Sequence, residues 1–79
     1  MLKIKDNVDL KELEKFGFWK WENTWGVYTK KDIIPTIEDG DLFLYEYDRV
    51  IIFSEDSDLN VLYDLIKADL VEKVSNNER

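Results

Sequence analysis

Two strand-forming runs, residues 42–47 and 49–53, meet tightly near Asp48. A link that short cannot carry a crossover, so the two strands must run antiparallel. Both runs are aromatic and β-branched, the composition that suits a pleated, half-buried surface. A similar pair stands upstream, where residues 18–22 and 25–30 flank Asn23-Thr24 and predict a hairpin turning there. Residues 33–37 have strand composition, but Pro35 cannot donate to a ladder, which assigns them to an edge or a loop. Glu38-Asp39-Gly40-Asp41 reads as a turn.

Helix signals stand on either side of this block. Asp9 is a capping residue, and Glu12 sits three positions on, as in a capping box. Val8 is placed to staple onto Leu13. Leu10, Leu13 and Phe16 form one apolar stripe, Gly17 supplies a left-handed stop, and Phe18 folds back on Leu13. These signals predict a helix over residues 9–16. After the polar break at 54–58, Leu59, Leu62, Tyr63, Leu65 and Ile66 recur with helical period and predict a second helix over 58–68. Asp69 falls where a left-handed residue ends such a helix. Residues 70–74 read as a short last strand or a packed tail, and 75–79 as a frayed end. The expected fold is one α+β domain over residues 1–79. An antiparallel sheet of four to five strands carries both helices on one face.

Strand alternation then sorts the side chains. Leu42 and Leu44 point one way, on a face that can take the two helices, while Phe43, Tyr45 and Tyr47 point the other; strand alternation leaves open which sheet face the helices cover. Trp19 and Trp21 share a face of the first strand. Three Trp, four Tyr and four Phe exceed what two short helices can cover. Big aromatics also fill small cores, so each one alone reads as core. As a set they point to a contact surface, because Trp and Tyr are enriched at binding hot spots. The candidates are Trp19, Trp21, Trp25, Tyr28, Tyr45 and Tyr47.

The charge is uneven. Residues 1–31 hold seven Lys against five acids, a net +2, and residues 32–79 hold four Lys or Arg against thirteen acids, a net −9. Such a chain repels nucleic acid, which needs a basic footprint. Glu38, Asp39, Asp41, Glu46, Asp48, Glu55, Asp56 and Asp58 lie on turns and strand ends. Gathered together they would imitate nucleic-acid phosphates and suit a basic groove on another protein; dispersed, they are a solvated face that confers solubility. Cys and His are both missing, which excludes disulfides, thiolate metal sites and the usual nucleophile–base pairs. Asp56-Ser57-Asp58-Leu59-Asn60 starts like a calcium loop, but Val61 and Lys67 stand where glycine and glutamate are required. Neither a cofactor nor a metal is expected, and binding is expected in place of catalysis. No apolar run approaches a membrane span, and the N-terminus lacks the apolar core of a signal peptide, so a soluble, cytoplasmic protein is expected.

The stretch Asn7-Val8-Asp9-Leu10-Lys11-Glu12-Leu13-Glu14-Lys15-Phe16-Gly17-Phe18 resembles small bacteriophage and prophage proteins of Gram-positive bacteria, as does the segment from Leu59 to Val74. The resemblance covers both ends and fades over residues 19–53. Such proteins often read alanine-glycine-leucine where this chain has Ala68-Asp69-Leu70. Small acidic phage proteins often inhibit a host factor, as anti-CRISPR proteins do, and the resemblance implies such a role here. The partner would then be a host protein, with a homodimer through the aromatic sheet face as the alternative. No individual residue role carries over.

Overall fold

The computed structural model describes residues 1–21, 26–31 and 34–74. In chain order the elements are β1 (Leu2–Ile4), a 3-10 helix η1 (Leu10–Phe16), β2 (Trp19–Trp21), β3 (Val27–Thr29) and a 3-10 turn η2 (Ile37–Asp39), then β4 (Phe43–Tyr45), β5 (Ile51–Ile52), α1 (Leu59–Lys67) and β6 (Val71–Lys73). Strands β2-β3-β4-β5 form a four-stranded antiparallel meander, and β1 pairs with β6 in a second, two-stranded sheet. Among the described residues an antiparallel bridge, Lys3 with Val50, links the two sheets. The architecture is α+β, as the strand and helix pattern predicts.

Both long helices end by the same device. At η1 the Phe18 N–H donates to the Leu13 carbonyl and the Gly17 N–H to that of Glu14, with Gly17 at φ +90°. At α1 the Leu70 N–H donates to Leu65 and the Asp69 N–H to Ile66, with Asp69 at φ +64°. Each is the double bond of a Schellman stop, which satisfies carbonyls the helix leaves over. Asp9 and Asp58 cap the starts, their carboxylates accepting from the Lys11 and Asn60 N–H groups.

Several expectations need correction. Residues 10–16 form a 3-10 helix. The stripe Leu10, Leu13, Phe16 has a spacing of three, which is the period of that helix. Glu12 closes no capping box; its carboxylate takes the Lys15 ammonium at 2.8 Å. The strands of the second hairpin are shorter than expected, because residues 46–48 form the turn. Of the two readings that Pro35 leaves open, residues 34–36 take the loop, and Pro35 is buried there. β1 was not foreseen, although Leu2 and Ile4 alternate with Lys3 and Lys5 in strand fashion. The predicted turn Asn23-Thr24, the position Trp25 and the tail 75–79 lie outside the described residues.

The main core sits between the helices and one sheet face. Leu10 and Leu13 of η1 and Leu62 and Leu65 of α1 close over Tyr28, Leu44 and Ile51, with Ile4 and Phe18 completing the cluster. Tyr28 pairs with Leu44 and Leu44 with Ile51 across the ladder, so these three side chains share that face. Leu42 and Val8 pack at the margin of the same cluster.

Candidate functional site

The register that turns Tyr28, Leu44 and Ile51 toward the helices turns their neighbours to the opposite side. Trp21, Val27 and Tyr45 align there across three strands, and next to them Trp19 stands opposite Thr29 and Phe43 opposite Ile52. Small residues on this face lie between large ones, and Val27 and Thr29 are buried. Phe43 meets Tyr45 edge-on with ring centroids 6.1 Å apart, and Tyr45 meets Tyr47 at 5.7 Å. Pairs in this range add about 0.5–1.5 kcal/mol beyond simple burial. The outer members of this face are open: Trp19 is 42% exposed and Tyr47 76%. Trp21 and Tyr45 are half-buried.

Four of the six aromatic candidates, Trp19, Trp21, Tyr45 and Tyr47, thus belong to one surface. Tyr28 does not join them. It is only 7% exposed and lies on the helix side, at the wall of a cleft of about 590 Å³. Asp9, Lys11, Glu14, Lys20, Glu46 and Arg49 line that cleft, and Lys20 and Glu46 pair across it at 3.2 Å. Burial pushes the Tyr28 hydroxyl pKa up, and the Glu46 carboxylate adds to the rise. Glu46 accordingly belongs to the cleft and not to the aromatic face.

The acidic candidates fall into two groups. An added Cβ on Gly40 would stand 2.8 Å from the Asp56 carbonyl, so the turn holding Glu38, Asp39 and Asp41 packs on the turn holding Glu55, Asp56 and Asp58. Glu46 and Asp48 lie at the far end of β4, roughly 16 Å from Asp41 for five extended residues. Some of these carboxylates are engaged in holding the fold. Asp41 takes the Thr36 N–H at 2.8 Å and the Lys31 ammonium at 3.2 Å. Asp48 accepts from the Val50 N–H at 3.0 Å. Asp58 caps α1. Among the described residues, Glu38, Asp39, Glu55 and Asp56 are exposed with no hydrogen bond or ion pair to their carboxylates. No metal-binding cluster of three or more acids forms among the described residues. No helix among them is long and apolar enough to cross a membrane.

Fold and surface together define a class: a small α+β domain whose sheet is helix-covered on one face and aromatic on the other. Compared with protein-family models, curated proteins and solved structures, the chain matches none.

Proposed function

We propose that this domain works by binding another protein, with the aromatic side of the β2–β5 sheet as the contact surface. One observation carries the reading. Among the described residues the helices cover one sheet face, and the other carries Trp19, Trp21, Tyr45 and Tyr47, outside the main core cluster. Rigid aromatics lose little entropy on binding and dominate interface energetics. The net charge of −7 favours a basic partner and speeds the encounter. The phage resemblance suggests a host protein with a nucleic-acid-binding surface, inhibited by occupation of that surface. The engagement of Asp41, Asp48 and Asp58 with backbone N–H groups supports binding over acid–base chemistry.

Affinity capture from host lysate, run in parallel with wild type and a Trp19→Ser/Tyr47→Ser variant, tests the reading. Both positions are exposed, so the variant keeps its fold, which circular dichroism checks. A partner held by wild type and lost by the variant is the expected result. Each truncation should weaken binding by about 2 kcal/mol, roughly thirtyfold. Equal capture by both proteins, or none by wild type, would refute it.

A further inference from the structure

Tyr28 ends in a polar atom that the fold does not use. The residue is 7% exposed and belongs to the core cluster. Its hydroxyl makes no hydrogen bond to any described residue. Among the described residues no enclosed side-chain oxygen lacks a partner, so this one is not enclosed and reaches the cleft that Tyr28 lines. A ring held by the core thus carries a bare hydroxyl into a cleft of about 590 Å³, a size that suits a small ligand. The charges around that oxygen are unequal. Burial raises its pKa most; Glu46 adds to the rise, Lys20 opposes it, and Asp9 and Glu14 add again. Three carboxylates therefore act on the oxygen against one ammonium. That ammonium already sits on Glu46 at 3.2 Å. Lys11 and Arg49 also line the cleft but do not act on the hydroxyl, and Arg49 is committed to the Lys5 and Val8 carbonyls. The Glu14 carboxylate is exposed and has no hydrogen bond or ion pair among the described residues.

We propose that this cleft binds an organic cation, an alkylguanidinium or alkylammonium group, which donates to the Tyr28 hydroxyl oxygen and pairs with Glu14 and Glu46. The hydroxyl stays protonated at neutral pH, so its oxygen offers lone pairs to an N–H donor. An anion could take the hydroxyl proton, but it would then stand among three carboxylates. Lys20 shows that the site accepts this chemistry, since its own ammonium rests on Glu46. An entering cation competes with Lys20 for that carboxylate and meets Glu14 without a competitor. The cation can be a free amine or guanidine, or the end of a lysine or arginine side chain. Tyr28 faces the helices and not the aromatic side of the sheet, so this site stands or falls apart from the sheet reading.

The probes are butylguanidinium and butylammonium, with butanoate as the control of opposite charge, titrated at constant ionic strength and followed by ¹⁵N amide shifts. At least one cation is expected to give saturable shifts at Glu14, Lys20, Tyr28 and Glu46. Tyr28→Phe keeps the ring and removes only the hydroxyl, and should weaken binding by about fivefold. Glu14→Gln, at an exposed position, should weaken it by a similar factor and serves if Tyr28→Phe fails to fold. Lys20→Met removes the competitor for Glu46 and should tighten binding, whereas it would weaken the binding of an anion. Trp19→Ser should leave binding unchanged. Blocked tripeptides with a central arginine or lysine separate the sources: tighter binding than the free cation assigns a side chain, weaker binding a small molecule. Equal binding of butanoate at these amides, shifts that never saturate with either cation, weaker cation binding by Lys20→Met, or no effect of both Tyr28→Phe and Glu14→Gln would overturn the proposal.

Discussion

Arg49 and Asp69 take the left-handed backbone conformation that Gly17, Gly26 and Gly40 also take, at φ +62° and +64°. A side chain there costs roughly 1 kcal/mol or more, and an aspartate less than most. Asp69 gains an ion pair with Lys5 at 2.8 Å, though such an exposed contact contributes little. Arg49 gains more. One guanidinium nitrogen donates to the Lys5 carbonyl at 2.6 Å and to the Val8 carbonyl at 2.7 Å, which ties the β4–β5 turn to the segment before η1. Replacing Arg49 with Ala should lower the unfolding free energy by about 2 kcal/mol in urea denaturation, with the m-value unchanged. A loss no greater than that of an ordinary surface residue would contradict this role. Tyr28 gives the second residue-scale expectation. Its folded pKa lies above the unfolded value of about 10, so its contribution to stability is full below that pH and declines as pH rises through the folded value. Tyr28→Phe removes this group. Melting temperature followed against pH should then fall less steeply above about pH 10 than in wild type, and parallel alkaline limbs would refute the assignment.

At the scale of elements, both helix ends were legible because stop chemistry is local. Gly17 followed by Phe18 announces a Schellman stop, and Asp69 followed by Leu70 repeats it with a tolerated substitute. The alternation of Leu42 and Leu44 against Phe43, Tyr45 and Tyr47 carried the two faces of β4 correctly. The side taken by Trp19 and Trp21 was not legible, because it depends on the register of β2 against β3, a non-local property. The same holds for Tyr28: its own strand offers apolar or small residues on both faces, and only pairing with Leu44 places it beneath the helices. Arg49 gave no warning, since arginine is not a turn-forming residue and its stabilising acceptors lie 44 and 41 positions away. The exposed half of α1 shows the converse. Helical periodicity identified Leu59, Tyr63 and Ile66 as apolar face without showing that the core stops at Leu62 and Leu65.

For the whole molecule, a chain of 79 residues has enough helix to seal one side of a four-stranded sheet. The other side is filled by its own aromatic rings, which bury Val27 and Thr29 and leave Trp19 and Tyr47 open. An exposed aromatic row on so small a domain has two outlets: a partner or a second copy. The charge of −7 disfavours the second copy and favours a basic partner. The acidity is not one array, since Glu46 and Asp48 lie apart from the packed turns of Gly40 and Asp56. In the proposed contact through the sheet face, the aromatic rings would carry the binding and the exposed acids would steer the approach. Sedimentation equilibrium of the isolated protein at physiological salt tests this most directly. The prediction is a monomer of 9.5 kDa. A stable dimer that Trp19→Ser/Tyr47→Ser returns to monomer would show that the aromatic face is a self-association surface, and would contradict the account.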